Sequence, residues 1–187
     1  MLLKIILIAG KALSGKDTVA KIIQEHLQKK KKTVVITHFA DLLKYICKEY
    51  FNWNGVKNNF GRDLLQHIGT NVIREKNPDY WVDFLMEFLS MFKNQWDYVI
   101  IPDCRFPNEI DRWREENWKT IAVKINRLNF KPLLTAEQQL HPSETSLDNY
   151  KDFDYIINSN NDLSSLAESV NEFIKFLEKI EEIDYDE

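Results

Sequence analysis

Seven residues near the start of the chain have the types and spacing of a phosphate cradle. Gly10-Lys11-Ala12-Leu13-Ser14-Gly15-Lys16 fits the pattern G-x-x-x-x-G-K, between an apolar run and an amphipathic one. In that pattern the glycines permit a tight turn, and backbone N–H groups face phosphate oxygens. The helix that follows adds the positive end of its dipole. Lys16 is placed to reach the β- and γ-phosphates. The residue after the lysine, usually Ser or Thr, is Asp17, and Thr18 comes next. The Asp17 carboxylate either holds magnesium through water or only caps the helix, while the Thr18 hydroxyl bonds an α- or β-phosphate. The cofactors implied are ATP and Mg2+. Their binding set is Gly10, Lys11, Ser14, Gly15, Lys16, Asp17 and Thr18.

A kinase needs a second anion site, and arginines are few. They are Arg62, Arg74, Arg105, Arg112, Arg114 and Arg127. Arg62 is expected to open a helix, with Gln66 and Thr70 following on the same stripe. An arginine at a helix N-terminus opposes the dipole unless an anion is bound there. Gln66 carries a two-sided amide that can read a base edge. The same three residues also suit a solvated polar stripe. Asp103 follows a strand, where it either positions magnesium-bound water or an acceptor, or serves only the turn. Arg105 is within reach of the same crevice. Arg127 stands beyond another strand, where a cation can swing onto a transferring phosphoryl group. His141 reads as a structural histidine, because transfer to a phosphate needs no general base. The catalytic set is therefore Lys16, Asp103, Arg105 and Arg127, with Asp17 and Asp103 as metal candidates.

The elements that must position these groups alternate. Strands are expected at 2–9, 33–39, 97–101 (stopped by Pro102), 120–125 and 154–158. Helices are expected at 17–27, 41–50, 62–75, 81–93 and 110–118, with a closing amphipathic helix from Leu163 through Leu177. Residues 52–61 read as a loop. Residues 126–150 show no clean period and read as a lid, and the acidic end 178–187 is expected to fray. Strand–helix alternation implies a parallel sheet with right-handed crossovers. Ligands of such sheets gather at the carboxyl ends of the strands. The fold class expected is α/β: a P-loop three-layer fold with a five-stranded parallel sheet flanked by helices.

Composition bounds the reading. A chain of 187 residues suits one domain, here 1–187, with an acceptor-binding helical region at about 40–95 and the lid at about 126–150. At 44% apolar and 29% charged it can build a core. Its net charge of -4 leaves no basic excess for a nucleic-acid polymer. Cys47 and Cys104 have no metal-ligand spacing and suit a reducing cytoplasm. No run is long enough for a membrane span.

Placed in order, these segments resemble the phage-type deoxynucleoside monophosphate kinases of the P-loop nucleoside monophosphate kinase group. The resemblance rests on Gly10 to Thr18, Phe39-Ala40-Asp41-Leu42-Leu43-Lys44 and Gly61-Arg62-Asp63-Leu64-Leu65-Gln66-His67-Ile68-Gly69-Thr70. Asp103-Cys104-Arg105-Phe106-Pro107-Asn108-Glu109, His141-Pro142-Ser143-Glu144 and Tyr155-Ile156-Ile157-Asn158 complete it. It implies transfer of the γ-phosphoryl group of ATP to a deoxynucleoside monophosphate, by a monomer or homodimer. It implies a substrate set of Asp41, Lys44, Arg62, Gln66, Thr70, Arg74 and Arg105, with Arg62 and Arg105 on the acceptor phosphate. Of the arginine-rich lid of adenylate kinases only Arg127 remains, with Lys124 and Lys131 near it. The competing readings are a P-loop kinase of another acceptor, of dephospho-coenzyme A or phosphomevalonate type, and a nucleotide-binding switch. No guanine-reading Asn-Lys-x-Asp segment supports the switch.

Overall fold

The computed structural model describes residues 3–128, 134–160 and 163–186, with side-chain surroundings left aside at 163–164 and 181–186. Leu2, Lys131 and Glu187 lie outside the described residues. Five strands form one parallel sheet in the order β2-β3-β1-β4-β5. They are β1 (Lys4–Ala9), β2 (Val34–Ile36), β3 (Tyr98–Cys104), β4 (Lys119–Arg127) and β5 (Tyr155–Ser159). Every residue of β1 is buried, so an apolar run with no alternation makes the central strand. The chain reverses its direction of travel across the sheet beside β1, which opens a crevice beyond its carboxyl end.

Two cores flank the sheet. On one face Ile6, Ile8, Ile100 and Val123 meet α1 (Lys16–Lys29) and α8 (Leu163–Asp186) through Val19, Ile23, Val170 and Phe173. On the other, Ile5, Leu7, Val99 and Ile101 meet α2 (Ala40–Phe51), α4 (Tyr80–Met91) and α5 (Asn108–Glu115). Leu43, Leu85, Leu89 and Trp113 supply that layer.

Four expectations change. Pro102 does not stop β3, which runs on to Cys104. The pairing shifts from Leu7 opposite Ile101 to Ala9 opposite Cys104, and that irregularity accommodates a residue with no N–H. Arg62 does not open its helix: α3 (Asn59–Gln66) starts three residues earlier, because the Asn58 carboxamide accepts the Gly61 N–H at 2.9 Å. The segment after β4 is not an aperiodic loop throughout. It holds α6 (Ala136–Leu140) and α7 (Pro142–Thr145). The acidic end continues α8 as far as Asp186, and Glu178 on it pairs with Lys30 and with His26.

Beyond α3 the helix widens into a π-helical stretch, His67–Arg74. Trp81 of α4, 3% exposed, donates its indole N–H to the Gly69 carbonyl of that stretch at 3.1 Å. Trp81→Phe removes this buried hydrogen bond, which costs about 0.5–1.5 kcal/mol. Urea titration should find that loss. A variant as stable as the wild type would mean the bond does not hold the stretch to α4.

Candidate functional site

The cradle is a strained turn between β1 and α1. Gly10 has φ +153°, and a Cβ there would stand 2.7 Å from the Ser14 hydroxyl and 3.0 Å from the Ile125 carbonyl. Gly15, at φ +94°, enters α1 in a conformation that L side chains avoid. Leu13, at φ 60°, takes the left-handed region without being glycine. Its carbonyl accepts from Arg127 at 3.0 Å. The Ser14 hydroxyl is buried without a hydrogen-bond partner among the described residues.

Lys16 is folded back onto this turn. Its ammonium donates to the carbonyls of Gly10 at 3.0 Å and Lys11 at 2.8 Å. Burial, and then the positive charge of Arg105, lower its pKa to about 7. Glu144 of α7 reaches the same turn. One of its oxygens accepts the Ala12 N–H at 2.9 Å, and the other pairs with Arg105 at 2.9 Å. Lys11 is drawn to the Glu144 carbonyl and the Asp148 carboxylate. Gln138 of α6 donates to the Asp63 carboxylate of α3 at 2.9 Å, so the segment also touches the helical side of the cavity.

A cavity of about 870 Å³ extends from the cradle, past the carboxyl end of β3, to α3 and the π-helical stretch. Lys16, Asp17 and Thr18 lie on its wall, as do Lys44, Arg62, Gln66, Thr70, Arg74, Asp103, Arg105 and Arg127. Gly10 and Lys11 line a smaller adjoining space of about 330 Å³ with Arg105 and Arg127. Asp41 does not line the large cavity. It accepts from Lys44 at 2.8 Å and from the His38 ring at 3.2 Å, and these partners outweigh burial to hold its carboxyl well below the usual range. His38 also lies 3.4 Å from Asp17, bridging the two carboxylates.

Asp103 is engaged at the N-terminus of α2: its two oxygens accept the N–H groups of Phe39 and Ala40, each at 3.0 Å. Arg74 lines the cavity, but its guanidinium pairs with the buried carboxylate of Glu109 and lies 4.1 Å from the centre of the Phe106 ring. Glu109 also accepts the N–H groups of Arg105 and Phe106. Burial pushes its pKa up. Glu109 thereby fixes the backbone that carries Arg105.

Several contributors escaped the sequence reading. Glu144 and Glu109 sat within motifs already picked out, with no role given to them. Lys57, which also lines the cavity, lay in what read as a plain loop. The α6 helix had a local signature: Thr135 and Gln138 form a reciprocal capping box. Pro142 at the first position of α7 was a second one.

The family model for deoxynucleotide monophosphate kinase matches residues 32–170. The chain belongs to the deoxynucleotide monophosphate kinase family. It is an ATP-dependent kinase, and the cradle at Gly10 to Lys16 lies just ahead of the matched residues. A protein of Acanthamoeba polyphaga mimivirus assigned as a deoxynucleotide monophosphate kinase is 29% identical over 188 residues, covering 82% of this chain and 86% of its own length. The phosphomevalonate kinase of Drosophila melanogaster is 26% identical over 180 residues, covering 89% and 93%. Among solved structures, shikimate kinase from Bacteroides thetaiotaomicron aligns at TM-score 0.53 and 18% identity, over 95% of this chain and 99% of that one. Dephospho-CoA kinase from Campylobacter jejuni aligns at 0.51 and 12% identity, over 94% and 97%. These two share the fold of this kinase.

Two outcomes follow from the geometry. Burial and Arg105 lower the Lys16 pKa to about 7, and phosphates bound beside it would restore its charge. ATP binding at pH 8 should therefore take up a fraction of a proton, and affinity should fall as pH rises above 7. Calorimetry in two buffers of different ionisation enthalpy measures the uptake, and Lys16→Ala should abolish it. Asp103→Ala should remove two acceptors from the start of α2 and cost about 1–3 kcal/mol in denaturant unfolding. A loss of activity with stability unchanged would point instead to a purely chemical role.

Proposed function

We propose that this kinase transfers the γ-phosphoryl group of ATP to a deoxynucleoside monophosphate, giving the diphosphate. The observation that carries this reading is the continuity of the cavity from the Lys16 cradle to Arg62, whose guanidinium makes no hydrogen bond or ion pair with a described residue. A guanidinium facing such a space suits a charge-assisted, bidentate contact to a phosphate. Past Arg62, Gln66 and Thr70 offer polar groups, and Leu43, Leu65 and Phe106 offer apolar surface, which suits a nucleobase. The sequence family and the mimivirus relative support the same acceptor.

In this reading an oxygen of the acceptor phosphate attacks the γ-phosphorus in line, and the bond to the bridging oxygen of ADP breaks. An anionic acceptor needs no general base. The work is positioning and charge neutralisation by Lys16, Arg105 and Arg127. Among the described residues no group of three His, Cys, Asp or Glu side chains could hold a metal unaided. A magnesium ion carried by the triphosphate asks only for one or two carboxylates, with water filling the remaining positions. Asp17 fits that demand, since its side chain is 79% exposed and among the described residues it pairs only with His38, at 3.4 Å. Asp103 has both oxygens on backbone N–H groups and would act through water. When bound, magnesium neutralises charge on the β- and γ-oxygens.

The second reading, a kinase of phosphomevalonate type, is favoured by the Drosophila relative. A panel of deoxynucleoside and nucleoside monophosphates together with phosphomevalonate, read by ADP release with ATP-Mg, separates the two. Turnover of at least one deoxynucleoside monophosphate is expected, and turnover of phosphomevalonate alone would overturn the proposal. Arg62→Ala should raise the acceptor KM about ten- to a hundredfold and leave the ATP KM within about twofold. If ATP binding is lost instead, Arg62 belongs to the donor side.

A further inference from the structure

Between α2 and α3 the chain crosses residues 52–58 without regular structure, yet this turn is held in place. Trp53 is 5% exposed, and its indole N–H donates to the Val56 carbonyl at 3.0 Å. The Asn54 carboxamide accepts the Val56 N–H at 3.0 Å, and Gly55 turns the chain at φ +85°. Gly61 of α3 backs directly onto the same turn. A Cβ there would lie 2.2 Å from the Val56 carbonyl oxygen and 2.6 Å from the Trp53 indole nitrogen. The Val56 carbonyl is thus fixed between an indole and a glycine.

The next residue is Lys57, whose side chain lines the large cavity beside Lys44 and Arg62. The cations around this space differ in how they are compensated. Lys44 pairs with Asp41, Lys11 with Asp148, Arg74 with Glu109 and Arg105 with Glu144. Lys57, like Arg62, makes no hydrogen bond or ion pair with a described residue. Its ammonium is held below the ordinary lysine range by partial burial and then by the nearby charges of Lys44 and Arg62, with Asp17 and Asp103 opposing. Two cations without ion pairs on one wall repel each other. A phosphate dianion between them would remove that cost, because each then gains a charge-assisted contact.

We propose that Lys57 is the second cation of the acceptor-phosphate seat, presented beside Arg62 by the Trp53–Val56–Gly61 turn. This rests on the reading of the acceptor as a phosphate-bearing nucleoside. It gives the loop ahead of α3 a binding role and makes Gly61 the residue that sets the position of that lysine.

The test compares wild type, Lys57→Gln, Lys57→Arg and Gly61→Ala. The acceptor is the deoxynucleoside monophosphate that wild type turns over best, and binding of the matching deoxynucleoside is measured alongside. Lys57→Gln should raise the acceptor KM roughly ten- to a hundredfold, with the ATP KM within about twofold and deoxynucleoside binding unchanged. Lys57→Arg should recover most of the loss. Gly61→Ala should raise the acceptor KM in the same direction by displacing the turn. An acceptor KM for Lys57→Gln within about twofold of wild type overturns the assignment while the acceptor class stands. Equal weakening of the monophosphate and the deoxynucleoside overturns it too, since the lysine would then only support the fold. If wild type turns over no deoxynucleoside monophosphate, the functional reading fails and the seat falls with it. Should Gly61→Ala not fold, the two Lys57 variants decide alone.

Discussion

The Glu144 carboxylate, 8% exposed, divides its two oxygens between the Ala12 N–H of the phosphate turn and the guanidinium of Arg105. Those partners sit at the carboxyl ends of β1 and β3, and the carboxylate comes from the short helix α7 that follows β4. An anion buried among N–H groups and cations is costly to move without a replacement. The turn, Arg105 and the segment over both are therefore positioned by one shared charge. Lys16 feels the same constraint. Pressed into the turn beside Arg105, it keeps part of its charge because Glu144, Asp103 and Asp17 lie close enough to favour the ammonium.

The sheet makes this sharing possible. Because β1 lies between β3 and β4, the ends of all three strands open onto one crevice. The bulge that carries Pro102 then lets β3 run on to Cys104, which puts Asp103 under the first turn of α2 and Arg105 over the cradle. Glu109 completes the arrangement from below by accepting the N–H groups of Arg105 and Phe106 and holding Arg74 against the Phe106 ring. Arginines that look equivalent in the sequence are thereby separated. Arg74 is bound into a buried pair, Arg105 is shared with Glu144, and Arg62 faces the cavity with no ion pair to a described residue.

Much of this was legible from residue patterns. The apolar run of β1, the glycine spacing that follows it and the apolar stripes of α1, α2 and α8 each state their element locally. The readings that missed did so where a distant partner decides. Nothing near Pro102 announces that β1 will shift its pairing by a residue to let the strand continue. Nothing in residues 52–61 announces that Trp53 will be buried and Lys57 turned toward a cavity, since the decisive contact is the close approach of Gly61. Glu144 is unremarkable on α7 until Ala12 and Arg105, far away in the chain, are brought to it. The start of α3 at Asn59 and the short α6 were different: their capping residues, Asn58 and the Thr135–Gln138 pair, were in plain sight.

The π-helical stretch His67–Arg74 carries a consequence for how this chain can vary. Such a widening accommodates extra length within a helix while keeping its two ends in place. Thr70 and Arg74 face the cavity from within it, and the Gly69 carbonyl is held by Trp81. Removing one residue there would close the stretch into an ordinary helical turn and leave α3 and the far end in register. The side chains inside the stretch would shift, so the set that Thr70 and Arg74 present to the cavity would change while the surrounding fold stayed in place. Descendants of this sequence can therefore remodel the cavity wall by a change of length here that moves neither neighbouring helix.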